Sequence, residues 1–202
     1  MKKLNLNVLL LALLVAIAGP ASAQKFHYGV TAGTNFSVQS GIAEYYDNSN
    51  IRVGLHAGLT GSYDLNDHMT LRTELTYDQK GNQSDNLTEA FDYISLPVLY
   101  DYSFGKTYHT NLQVHLNVGP YVSYLVNAED RYDVDGTEQT TDLTDQTHKA
   151  EFGAIMGVGL VQPVGKHALT MDLRLNLGLT RYAFDDDESH NKMVSLALGY
   201  RL

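Results

Sequence analysis

The segment Ala168–Tyr182, ALTMDLRLNLGLTRY, admits one regular backbone. Leu169, Met171, Leu173, Leu175, Leu177 and Leu179 fall on one side of an extended strand, and Thr170, Asp172, Arg174, Asn176, Gly178 and Thr180 fall on the other. Successive side chains alternate across a strand. At helical spacing the same apolar residues would smear around a cylinder, so the period is two. One face is as apolar as lipid, and the other carries an acid, a base and an amide. In a soluble sheet the apolar face is core; in a membrane barrel it is the exterior. The remaining strands decide between these.

The alternation recurs along the chain. Phe26–Ser37 sets Phe26, Tyr28, Val30, Ala32, Thr34 and Phe36 against His27, Gly29, Thr31, Gly33, Asn35 and Ser37. Ile51–Asp64, Met69–Lys80, Asp92–Phe104, Asn111–Val126, Phe152–Val161 and Met193–Leu202 repeat it, the sixth with a glycine-rich polar face of Gly153, Gly157 and Gly159. Pro97 inside the fourth predicts a local bulge or a missing ladder bond, since proline has no N–H to donate. Together with Ala168–Tyr182 these make eight strands. Connections alternate between short (Asp64–His68, Gly105–Thr107, Gln162–His167) and long (Val38–Asn50, Gly81–Ala90, Asn127–Lys149, Ala183–His190). Aromatics of the apolar face sort by height, with Tyr28, Tyr63, Tyr100, Tyr102 and Tyr200 low and Phe36, Tyr77, Tyr124 and Phe152 high. Two aromatic girdles around an aliphatic band, short turns at one end and long loops at the other, are the pattern of an outer-membrane barrel. A soluble lipid carrier would place the apolar face inside. The predicted fold is therefore all-β, an eight-stranded antiparallel transmembrane β-barrel.

Residues 1–23 read as a secretory signal peptide, with basic Lys2 and Lys3, an apolar run Val8–Ala18 and a small-residue cleavage site Ala21-Ser22-Ala23. The run is too short to span a bilayer comfortably. Residues 24–202 then form the barrel domain. The absence of Cys rules out disulfides and thiolate metal sites. A formal net charge of −9, more negative still once Lys2 and Lys3 are removed, argues against nucleic acid as a partner.

Several of these strands also carry family-like motifs. Tyr93-Ile94-Ser95-Leu96-Pro97-Val98-Leu99-Tyr100 resembles the strand motif of PorT-like outer-membrane barrels common in Bacteroidota. Val118-Gly119-Pro120-Tyr121 with Tyr124-Leu125, Phe152-Gly153 with Gly157-Val158-Gly159, and Asn176-Leu177-Gly178-Leu179-Thr180 after Asp172 and Arg174 are similar to that family's following strands. The resemblance covers nearly all of the mature chain. It implies a small barrel of the OmpX/OmpA size and, through the name-giving member, a link to protein secretion. Leu202 stands where outer-membrane proteins often end in an aromatic, which leaves Tyr200 for assembly-factor recognition.

No chemistry-bearing motif stands out. The histidines are scattered. His190, Asp186 and His148 on adjoining loops are the candidates for a rim hydrolase, against the plainer reading of solvated loop histidines. Asp133-Val134-Asp135-Gly136 with Asp142 matches part of a calcium loop, but Arg131 occupies the first ligand position. Asp185–Glu188 is a second acidic run, and both read first as extended solvated loops. No catalytic, cofactor or metal residue is assigned. The lumen is the more informative place. Eight strands leave only enough interior for inward side chains, and Arg72, Glu74, Asp101, His115, Asp172 and Arg174 point there at similar heights. Buried charges of both signs must pair, so these six predict an interior polar network of structural role. The function that follows is a non-enzymatic anchor presenting acidic outer loops, with a narrow conduit or secretion accessory as the alternative. Expected partners are outer-membrane lipid and lipopolysaccharide, the barrel-assembly machinery and other envelope proteins. The chain should be monomeric, with both termini periplasmic.

Overall fold

The computed structural model describes residues 26–40, 50–83, 87–106, 112–134, 137–144, 147–181 and 190–202. Residues 1–23, read above as a signal peptide, the acidic run Asp185–Glu188 and most of Val38–Asn50 lie outside them. Nine strands are present among the described residues: β1 (Phe26–Ser40), β2 (Asn50–Asp64), β3 (Met69–Gln83), β4 (Leu87–Lys106), β5 (Gln113–Val134), β6 (Thr137–Asp142), β7 (Ala150–Val164), β8 (His167–Gly178) and β9 (His190–Arg201). Eight of them close a barrel in which every neighbour is antiparallel, and β9 returns to β1. The sixth, β6, stands apart and pairs only with the upper end of β5. Closure leaves the eight main strands without free edges, which is what a strand needs in hydrocarbon, where water cannot satisfy its backbone.

Faces follow the alternation. Leu173, Leu175, Val158, Leu196 and Leu59 are exposed on the outside, while Asp172, Arg174, Asn176, His115 and Ser195 are buried inside. An apolar exterior over a polar interior is the inverse of a soluble carrier. The outward aromatics form two bands. Tyr28, Tyr63, Tyr100, Tyr102 and Tyr200 mark the lower one, joined by Phe104, whose ring meets Tyr102 edge-on at 5.3 Å. Phe36, Tyr124 and Phe152 are exposed in the upper band, and Tyr77 is half-buried there. The register joins Tyr77 to Ile94 and Ile94 to Tyr124, so the upper band is continuous across β3, β4 and β5.

Three expectations about connections are corrected. Gly81–Ala90 is not a loop: β3 runs to Gln83 and β4 starts at Leu87, paired through Gln83↔Thr88. Most of Asn127–Lys149 is likewise hydrogen-bonded, since β5 continues to Val134 and folds back as β6. Beyond the lipid there is no apolar outer face, so the sequence loses its alternation there while the backbone ladder continues. The connection at Gln162–His167 tightens to Gly165 and Lys166, with Gly165 at φ +65°, a conformation glycine adopts without penalty. Pro97 makes no bulge. The β3–β4 register is the same on both sides of it, and the ladder is interrupted between Thr73↔Val98 and Thr76↔Ser95. The Thr73 hydroxyl donates to the Pro97 carbonyl at 3.0 Å in that gap.

Candidate functional site

The interior is the one place where charge, burial and geometry converge. Its lowest layer spans the full width of the barrel, because β3 and β8 are four strands apart in the closed order. Arg72 on β3 forks onto Asp172 on β8, with Nη1 donating to Oδ2 at 3.0 Å and Nη2 to Oδ1 at 3.2 Å. The same guanidinium reaches Asp101 on β4, Nη2 to Oδ1 at 3.1 Å, with Nε 2.9 Å from Oδ2. Arg174, next inward along β8, crosses back to Glu74 on β3 through two parallel bonds of 2.8 Å. Its Nη2 also lies 3.2 Å from Asp172. Asp172 is the hub, since its Oδ1 also meets His115 Nε2 at 3.0 Å and accepts from Asn117 at 3.1 Å. Bidentate forks of this kind are the strongest ion-pair geometry available to a carboxylate. Arg72, Glu74, Asp101, His115, Asp172 and Arg174 thus form one contiguous group, and all six are buried.

The glycine-rich inner face of β7 makes room for this layer. A Cβ at Gly159 would lie 2.5 Å from His115 Nε2 and 2.6 Å from Asp172 Oδ1. One at Gly157 would lie 2.8 Å from Asn117 Oδ1 and 2.9 Å from the Arg174 side chain. Higher up, one at Gly153 would lie 2.5 Å from the Tyr121 ring. The long inward side chains of β5 and β8 lie over bare backbone, so β7 is a recess that the network fills.

Two further layers escaped the sequence. Above the first, Asp78 gathers Asn35 at 3.1 Å, His56 Nδ1 at 2.7 Å and the Thr76 hydroxyl at 2.7 Å. His56 therefore has Asp78 as its carboxylate partner. Above that, the Lys80 ammonium donates to Glu151 at 2.5 Å, where Tyr121 also donates at 2.6 Å and Asn191 binds the second oxygen. That ammonium sits between two rings, 4.7 Å from the centroid of Tyr93 and 5.0 Å from that of Tyr121. Phe91, Tyr93, Leu125 and Ala128, with Leu143 packed against them, form an apolar lid over the stack. The available signal was the series Arg72, Glu74, Thr76, Asp78, Lys80 and Asn82, which holds to one face of β3 at strict period two.

Empty space is distributed unevenly. A polar vestibule of about 410 Å³ opens below the Arg72 layer, lined by Thr31, Ser62, Asp64, Thr170 and Arg201. Between the layers, around His56, Asp78 and Arg174, only about 20 Å³ remains. That is room for about one water molecule. Of the acidic and rim candidates, Asp186, the run Asp185–Glu188, and Asp135 with Gly136 lie outside the described residues, whereas Asp133 and Asp142 belong to the paired strands β5 and β6. Among the described residues no three His, Asp or Glu side chains are grouped so that they could hold a metal ion.

A closed antiparallel barrel with an apolar banded exterior and a charged interior defines an integral outer-membrane protein. The profile of the outer membrane protein beta-barrel domain matches residues 22–182, and the chain belongs to that family. Its fold is similar to that of Neisserial surface protein A, with a TM-score of 0.53 at 12% identity over 86% of this chain and 95% of that one. Ail, the attachment invasion locus protein of Yersinia pestis, aligns with a TM-score of 0.46 at 12% identity over 89% and 100% of the two chains. OprG from Pseudomonas aeruginosa gives 0.46 at 10% identity over 88% and 94%. No curated protein matches in sequence. These likenesses speak to the fold alone; it is membership of the outer-membrane barrel family that places the chain in the outer membrane.

Proposed function

We propose that this protein is a non-conducting outer-membrane anchor whose work is done by the acidic sheet and loops it holds beyond the lipid. The layered lumen carries this reading. Three polar layers and an apolar lid fill the bore, and the space between layers is about 20 Å³. A conduit needs a continuous wet path, and charges tied in bidentate pairs leave no mobile water to make one. The six-residue layer of Arg72, Glu74, Asp101, His115, Asp172 and Arg174 serves here as the structural bulkhead above the vestibule. Purified full-length protein in planar bilayers is expected to show no steady conductance of open-pore size. Such a conductance from the wild-type chain would replace the anchor with the conduit.

The contact surface is the extension of β4, β5 and β6 past the upper girdle. Gln139, Thr140, Thr141 and Asp142 on β6 are exposed, and among the described residues β6 ends the sheet with β5 as its one partner strand. An edge of this kind accepts a further strand, and its acidic composition favours a basic one. Envelope proteins and lipopolysaccharide are the partners within reach, the latter through cation bridges. In this reading the chain is a monomer inserted by the barrel-assembly machinery, with both termini periplasmic and the β5–β6 hairpin outside. An epitope inserted at Gly136 is expected to be reached by antibody on intact cells. Labelling only after the envelope is broken would invert the topology.

A second reading, an accessory part in protein secretion, rests on the PorT-like motif around Ile94, Leu96 and Pro97. That motif sits at the interrupted ladder of β4, and co-purification of a secretion component with the tagged chain is its test.

A further inference from the structure

The outer extension holds a pair of like charges in an unusual place. Glu89 on β4 and Asp130 on β5 are direct cross-strand partners, five residues beyond Ile94 of the upper girdle and so past the hydrocarbon. Each is partly buried. Each has a buried oxygen, Glu89 Oε2 and Asp130 Oδ1, with no hydrogen-bond partner among the described residues. Like charges directly opposite one another destabilise a strand pair, and an unpaired buried carboxylate oxygen adds the cost of desolvation.

The neighbours do not relieve the pair. Across β3 the residue opposite Glu89 is Asn82, and across β6 the residue opposite Asp130 is Thr141. The nearby cations are committed elsewhere. Arg131 binds Glu129, which is opposite Asp142 on β6. Arg52 on β2 donates to the Lys80 carbonyl, and the Lys80 ammonium belongs to Glu151. The charge acting on Glu89 is that of Asp130. Two rungs below, Phe91 faces Ala128 in the apolar lid, so the pair closes off the outer side of that cluster.

We infer that Glu89 and Asp130 form a proton latch: the β4–β5–β6 sheet tightens when one carboxyl takes up a proton and donates it to the other. A carboxylic acid facing a carboxylate turns the repulsive rung into a hydrogen bond and satisfies an orphan oxygen. Burial and the Asp130 charge push the Glu89 carboxyl up to about 7, and burial raises Asp130 as well. The sign follows from linkage. The folded carboxyl holds its proton above the pH at which the unfolded one loses it, so the ionisation penalty is absent in acid and grows as pH rises through that interval. The outer sheet is therefore firmer at about pH 5 than at about pH 8. This device needs only that the upper end projects beyond the lipid, so it stands apart from the anchor reading and its orientation.

Amide hydrogen exchange on the full chain folded in lipid nanodiscs, in EDTA and corrected for intrinsic rates, tests it. Protection over residues 87–92 and 127–134 is expected to rise roughly tenfold on going from about pH 8 to about pH 5, with strand β8 unchanged. Glu89→Gln should be as protected at high pH as the wild type is at low pH, and Asp130→Asn should flatten the profile in the same way. A flat wild-type profile, or an undiminished slope in both variants, would overturn the latch. Protection that is instead higher at about pH 8 without EDTA, and lost when EDTA is added, would assign the pair to a divalent cation and overturn the proton.

Discussion

Replacing Arg174 by alanine is expected to destabilise the barrel by roughly 3–5 kcal/mol, the range for removing one partner of a buried ion pair. The layer holds two guanidinium groups, Arg72 and Arg174, against three carboxylates, Glu74, Asp101 and Asp172. Without Arg174, Glu74 keeps only a 3.6 Å approach to Arg72, and one cation faces three buried anions. Glu74→Ala should cost less, toward the lower end of about 3 kcal/mol, because it leaves two cations against two anions. In that variant Arg174 still touches Asp172 at 3.2 Å. Removing both partners together with leucine should recover much of the loss, since a buried pair replaced by apolar groups of similar volume is often near neutral. The chain has no Trp, so the measurement is urea titration of folding into vesicles read by electrophoretic mobility and far-ultraviolet circular dichroism. If Arg174→Ala and Glu74→Ala are both within about 1 kcal/mol of wild type, the layer is hydrated and contributes as a surface pair does.

How far the sequence discloses this molecule depends on where the chain meets lipid. Inside the membrane, the exterior residues must be apolar and their strand partners alternate with them, so β8 is legible from Leu169 to Leu177 and β3 from Leu71 to Tyr77. Above the girdle that constraint ends, and Gly81–Ala90 reads as a loop although Gly81 and Asn82 pair with Ala90 and Glu89. The interior is legible as a set of inward charges but not as pairs. Which residue crosses to which is set by strand stagger, and a slip of two residues would hand Arg174 a different partner. That is why Glu151, one residue into β7 and 71 residues from Lys80 in the chain, gave no sign of the Lys80 contact. The glycine recess on β7 is visible as composition, yet its purpose depends on the His115, Asn117 and Tyr121 side chains that lie over it.

Leu173→Arg should cost about 2–4 kcal/mol, the penalty for a cation facing lipid at the midplane of such a barrel. Leu173 is paired with Val158 on β7 and Leu196 on β9, both outward and aliphatic, and is 49% exposed on the outer face. On its own strand Leu169 lies opposite Tyr200 of the lower band, and Leu177 pairs with Ala154, two residues along β7 from Phe152 of the upper one. That puts Leu173 midway between the girdles, where the arginine side chain must snorkel furthest to find water. The matching change at Leu179, also exposed but just past the upper end of β8, should cost about 0–1 kcal/mol, because a charge near the interface reaches the headgroups. Asn176 offers no fair comparison on the other face. Its amide donates to the Ser195 hydroxyl at 2.7 Å beside a void of about 20 Å³, so an arginine there clashes whatever the polarity around it. The depth dependence is therefore the discriminating quantity, measured by the same urea titration. Equal costs at positions 173 and 179 would mean that the aliphatic band is not centred on Leu173, and that the two aromatic rows do not mark the edges of the bilayer.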